Sequence, residues 1–158
     1  MKGQREVLEA LNAVLTAQLT AINQRFLAAK MHEHRGFLRL GKRAYKHSIV
    51  VMRNADPVIA RVLFLEGLPN LQRIGKIGIG EGSTEQLALD LALQQELCGK
   101  LEELVRVALA HNDNGTAELA DSLLVKEQAE LEWLEAQQKE LTLMGEATYL
   151  SAQIHDNG

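Results

Sequence analysis

Five polar side chains occupy positions that a continuous apolar helix face would otherwise fill: Gln18, Asn54, Gln94, Glu127 and Glu130. Glu127 and Glu130 are three residues apart, as are Val51 and Asn54, and that spacing puts both members of a pair on one side of a helix. Such a set can do one of two things at the middle of a bundle. The amides can donate to the carboxylates through their NH2 groups, which removes the cost of burying an unpaired polar group. Alternatively the set can hold metal. Two-iron bundle sites take one Glu from each of two helices and a Glu-x-x-His pair from each of two others, because Fe(II) favours carboxylate oxygen combined with imidazole nitrogen. The matching pairs here are Val51-x-x-Asn54 and Glu127-x-x-Glu130, with Gln18 and Gln94 as the single positions. Amides are poor iron ligands and valine is none, so these residues read as a hydrogen-bonded network.

Met52 is the second candidate. It lies on an apolar stripe formed by Tyr45, Ile49, Met52, Ile59 and Leu63, while Leu19, Ile22, Asn23 and Phe26 widen the face of the preceding helical segment. The other side of the same segment carries Phe37, Ala44, Val51, Ala55, Val58 and Val62. One bundle core cannot use both sides, so the second stripe needs a partner surface, most simply that of a two-fold dimer. A methionine in such a contact faces its own copy. It serves either as adaptable packing or as one of two thioethers holding a single haem iron, and spacing alone leaves both open.

Other reactive types carry less. His32, His34, His47, His111 and His155 have no mutual ligand spacing and read as solvated or helix-end residues. Cys98, the single cysteine, excludes an intramolecular disulfide and reads as a small buried hydrophobe. The Gly75–Gly82 stretch lacks the GxxxxGK[ST] pattern of a phosphate loop. The sequence marks no catalytic residue.

The elements that must position these residues are helices. Hydrophobic residues make up 46% of the 158, aromatics only 4%, and two residues are proline. That balance favours helix over sheet and suits one domain over residues 1–158. Helical patterns run from about Gln4 to His34, Phe37 to Leu65, a cap at Ser83 with Gln86 three residues on to about His111, and about Thr116 to Met144. A short fifth helix is expected at Ala147–Ile154. Pro57 falls inside the second pattern and should kink it or cost a backbone hydrogen bond. The inward stripes read as Leu8, Leu11, Leu15, Leu19, Ile22 and Phe26 in the first helix, Leu87, Leu91, Cys98, Leu101, Val105 and Ala108 in the third, and Ala120, Leu124, Leu131, Leu134 and Leu141 in the fourth. Short links make antiparallel hairpins of helices one and two and of three and four. The long segment between the hairpins is able to cross the length of a bundle. The net charge is -4, from 17 basic and 21 acidic residues. There is no basic stripe for nucleic acid, no signal-peptide core and no apolar run near the ~20 residues that span a bilayer, so the expectation is a cytoplasmic protein without nucleic-acid or membrane partners.

The chain resembles bacterioferritin along its whole length. The resemblance rests on Met1-Lys2-Gly3, on Ala21-Ile22-Asn23-Gln24, and on Ile59 to Gln72, which includes Glu66-Gly67-Leu68-Pro69-Asn70-Leu71-Gln72. It continues through Gly75-Lys76, Ile79-Gly80-Glu81, Trp133-Leu134-Glu135 and Tyr149-Leu150-x-x-Gln153. It implies an all-α, ferritin-like four-helix bundle with one long crossover and a short fifth C-terminal helix, assembled into a 24-subunit shell around a stored ferric iron mineral. It also implies haem b at each two-fold interface, with Met52 as iron ligand and Leu19, Ile22, Asn23, Phe26, Tyr45, Ile49 and Leu71 around it.

The family's ferroxidase ligands (Glu, Glu, His, Glu, Glu and His) match Gln18, Val51, Asn54, Gln94, Glu127 and Glu130, and only Glu127 is retained. Lys46 and Val50 likewise replace metal-ligating types at the inner surface. The resemblance therefore implies a haem-binding subunit with a degenerate ferroxidase centre, sharing a mixed shell with a ferroxidase-competent subunit and supporting electron transfer for iron release. A [2Fe–2S] ferredoxin would dock near Leu68, Pro69 and Asn70. The alternatives are a ferroxidase that still works through Glu127 and Glu130, and a haem-free structural shell subunit.

Overall fold

The computed structural model describes residues 1–156 and contains five helices in the order α1 (Arg5–His34), α2 (Leu38–Phe64), α3 (Ser83–Ala110), α4 (Asn114–Met144) and α5 (Glu146–Ser151). α1 packs on α2 and α3 on α4, and α1 against α3 joins the two hairpins. α2 runs unbroken through Pro57. Among the described residues no helix is long and apolar enough to cross a membrane.

Three details differ from expectation. Ser83 does not cap α3. Gly82 holds the cap position, and the Ser83 hydroxyl lies 2.8 Å from His32 Nδ1 instead. Gln86, expected to complete a capping box, donates to the Gly78 carbonyl and the Asp90 carboxylate and accepts from Gly80 N–H. α4 begins at Asn114 because the Asp113 side chain accepts from Thr116 N–H. α5 closes at Ser151, where the N–H of Ala152 turns back to the carbonyls of Thr148 and Tyr149.

The crossover between α2 and α3 is held by a polar rail along α1. Asn12 bonds the backbone of Leu68 and Asn70, Thr20 accepts from Gly75 N–H, and Gln24 accepts from Gly78 N–H. Arg35 donates to the carbonyls of Gly80 and Glu81. The segment therefore runs from one end of α1 to the other, and each of these bonds satisfies a backbone group that has no ladder partner. Gly80 is required here, because a Cβ would stand 2.7 Å from Gln86 N.

The buried face of α1 is Val7, Leu11, Val14, Gln18, Ala21, Arg25, Ala28 and His32, alternating steps of four and three. Of the stripe expected at Leu8, Leu11, Leu15, Leu19, Ile22 and Phe26, Leu11 and Leu15 are buried, Leu8, Leu19 and Ile22 are half-buried and Phe26 is exposed. The bundle is layered along its length. Val7, Leu11, Val14, Val58, Val62, Leu97, Leu101, Leu104 and Leu123 form one apolar cluster, and Leu40, Leu87, Leu134 and Tyr149 another. Gln18, Arg25, His47, Asn54, Asp90, Gln94, Glu127 and Glu130 are all buried as well, and these polar residues carry the site.

Candidate metal centre and subunit face

The bundle brings all six positions of the two-iron pattern into its interior: Gln18, Val51, Asn54, Gln94, Glu127 and Glu130 are buried. Their contacts are those of an internal polar network. Gln94 donates to Glu127 at both the carbonyl (2.9 Å) and Oε2 (2.6 Å). Gln18 donates to the Asn54 carbonyl at 3.2 Å, so it braces the α2 backbone and does not reach the carboxylates.

The decisive partners are residues that hydropathy had passed over. His47 Nε2 lies 3.0 Å from Glu127 Oε2. Arg25 Nη2 is 3.1 Å from Glu130 Oε1, and Arg25 Nε is 3.6 Å from Asp90 Oδ2. Arg43 donates to Glu130 Oε2 from Nη2 (2.6 Å) and Nε (3.1 Å) and stacks its guanidinium 4.4 Å from the Trp133 ring centre. Gln24 and Gln86 complete the shell of Asp90. Three carboxylates thus face two guanidinium groups and one imidazole, drawn from all four long helices.

Burial and pairing pull the carboxyls in opposite directions. Burial raises the Asp90 carboxyl above its ordinary range despite Arg25 and the two glutamines. Burial also pushes Glu127 upward, but the His47 ring and Gln94 outweigh it and hold the group below that range. Asn54, whose Nδ2 makes no hydrogen bond of good geometry, contributes least.

His47 corrects the reading of the histidines as solvated or helix-end residues, and His32 keeps the helix-end place in the last turn of α1 but is not solvated. Both are buried, since each falls on an inward register position of its helix. His32 is lowered to about 4 by burial and by Arg25 and Arg35. The sequence did hold a signal for the missed partners. Arg25 lies seven residues after Gln18, His47 seven before Asn54, and Asp90 four before Gln94. Extending each polar interruption by one helical repeat finds them.

A two-iron centre does not fit these side chains. Two guanidinium groups and a doubly held amide occupy the carboxylate oxygens that iron would need. Among the described residues no group of three or more His, Cys, Asp or Glu is arranged to hold a metal ion.

The outward side of α1 and α2 has the opposite character. Met52, Tyr45 and Leu63 are 51%, 46% and 57% exposed, and Phe26 and Leu71 are exposed with them. Leu19, Ile22, Ile49 and Ile59 are half-buried on that side, and Asn23 is exposed. The Phe26 and Tyr45 rings meet at 6.2 Å between centroids, with Lys30 Nζ 5.7 Å and 5.9 Å from the two ring centres. So much exposed large apolar side chain in one seam marks a contact surface.

Residues 8–144 match the family model of the ferritin-like domain. The chain is 38% identical over 154 residues to a bacterioferritin of Streptomyces coelicolor, covering 98% of this chain and 92% of the relative. It is 39% identical over 149 residues to a bacterioferritin of Mycobacterium leprae, covering 94% of each. It is 37% identical over 137 residues to a bacterioferritin of Rhodobacter capsulatus, covering 87% and 85%.

Proposed function

The chain belongs to the ferritin-like family, with bacterioferritins as its near relatives, and from that membership we propose that it is an iron-storage shell subunit that binds haem b at a two-fold contact and leaves iron oxidation to other subunits. The observation that carries the reading is the pairing of an exposed Met52 stripe with an interior centre already filled by protein cations.

The donor chemistry of the outer face fits a haem. A thioether is a recognised axial ligand for haem iron, and one methionine per chain becomes two across a two-fold axis. Met52 would hold the iron, and Leu19, Ile22, Asn23, Phe26, Tyr45, Ile49 and Leu71 would line the porphyrin. Bound there, the group supplies one-electron transfer between the outside of the shell and the ferric mineral. The chain's own part is to present an apolar slot that excludes water and to keep the bundle rigid beneath it. Burying Phe26, Tyr45 and Met52 also removes their apolar surface from water, at ~25 cal/mol per Å2.

The assembly implied is the 24-subunit shell of the family, in which this chain pairs with itself and with a ferroxidase-competent bacterioferritin-type subunit. Leu68 is 84% exposed and is the natural apolar anchor for a [2Fe–2S] ferredoxin. The setting is the cytoplasm.

Purified protein from haem-replete cells should show a Soret band that Met52→Leu abolishes. If the band is absent, the chain is a haem-free shell subunit. Fe(II) oxidation by the homopolymer should run no faster than in buffer. A faster rate, lost in Glu127→Gln, would make it a working ferroxidase. Mass spectrometry of the intact native shell should reveal a second subunit type.

A further inference from the structure

We propose that Arg25 closes the interior centre to metal, standing as a fixed internal cation where a dinuclear site would hold its ions. The inference shares with the proposed function only the reading that this centre holds no iron, and it is independent of haem.

Asp90, Glu127 and Glu130 are 2%, 3% and 6% exposed. Carboxylates at that depth must be neutralised by protonation, by metal or by protein cations. Here the cations are built in, and Arg25 is the most deeply placed of them at 3% exposure. It alone reaches two of the carboxylates, Asp90 on α3 and Glu130 on α4, from its seat on α1. Arg43 sits at the rim, with its side chain 36% exposed.

The site also has unspent bonding capacity. Arg25 Nη1, His47 Nδ1, Asn54 Nδ2 and Gln18 Oε1 are buried with no hydrogen-bond partner among the described residues. A purely structural network would be expected to satisfy such atoms.

Two consequences follow. Metal exclusion is set by Arg25 and not only by the missing ligands at positions 18, 51, 54, 94 and 130. Neutralising Arg25 also leaves Asp90 Oδ2 and Glu130 Oε1 without the cation they face, and these two oxygens can then take a divalent cation whose shell water completes. Carboxylate and water oxygens suit Mn2+, which serves as a probe that does not mineralise in the shell.

The test compares mineral-free wild-type protein with Arg25→Met, which keeps the stem length, and Arg25→Gln, which keeps hydrogen bonding and removes the charge. In chelator, both variants should melt lower than wild type by roughly 10 °C, as expected when one partner of a buried ion pair is removed. In excess Mn2+ they should recover most of that loss and bind about one more Mn2+ per chain than wild type. Anomalous scattering should place the added ion between Asp90 and Glu130, the two carboxylates that Arg25 reaches. Arg25→Lys, which keeps the charge, should gain none.

Variants that melt as wild type in chelator, that gain no Mn2+, or that fold in neither condition would sink the assignment of Arg25, leaving the absence of iron in wild type untouched. Mn2+ or Fe2+ at the centre of wild-type crystals would overturn this inference together with the reading that the centre is lost. The Soret band should be the same in every Arg25 variant.

Discussion

His32 should make the protein acid-sensitive in a way one substitution removes. Its ring is buried, 2.8 Å from the Ser83 hydroxyl. Burial, with Arg25 and Arg35 nearby, lowers it from 6.5 to about 4. A lowered histidine is neutral in the folded state and protonates first in the unfolded one. Its effect on stability is nil above the unfolded value, grows as pH falls through 6.5, and saturates below about 4. At pH 5 the unfolded ring is almost fully charged and the folded ring almost neutral, so the linkage costs about 2 kcal/mol. For a domain of this size each kcal/mol moves Tm by about 2–4 °C, so His32 should account for a fall of roughly 4–8 °C between pH 7.5 and pH 5.

The assay is thermal unfolding of mineral-free wild type and His32→Gln across that pH range. Glutamine has no charge to gain and can still bond Ser83. Its overall Tm is free to differ, because the quantity read is the difference in slope. Wild type should fall more steeply, and the two curves should converge in slope above pH 7. Parallel curves from pH 7.5 to pH 5 would refute the claim that burial holds the ring neutral.

Two further outcomes test how the ends of the elements are pinned. Tyr149→Phe removes the 2.7 Å bond from the phenol to Gln137 Oε1 and leaves that buried acceptor alone. It should cost about 1–3 kcal/mol, and limited proteolysis should cut near α5 sooner than in wild type. Asp113→Ala removes the α4 cap to Thr116 and the 2.8 Å contact with Arg61. Tm should fall by an amount matching a cap loss of about 0.5–2 kcal/mol, and the variant should lose less on acidification than wild type, because pairing with Thr116 and Arg61 holds Asp113 low against burial. A variant with the wild-type acid slope would count against that pairing.

The sequence by itself determined the helices. Apolar spacing of three and four, glycine and Asn-Asp-Asn-Gly breaks, and a long glycine-rich crossover are local facts, and α1 to α4 lie within a few residues of where those facts put them. Spacing also marked Gln18, Asn54, Gln94, Glu127 and Glu130 as interior polar residues, and all five are buried. Rotation about each helix axis was less legible. A broad face with Leu8, Leu19, Ile22 and Phe26 on one flank and Val7, Val14 and Ala21 on the other does not say which flank the neighbours cover.

Only the packing of four helices decided that Arg25 and His47 turn inward with Asp90, while Phe26 turns outward. Hydropathy ranks a residue by its own transfer cost. A buried arginine is tolerable only when carboxylates distant in sequence arrive beside it, and that condition exists once α3 and α4 are in place. The same condition separates the two readings of the centre, because the carboxylates that would have needed iron met a guanidinium instead.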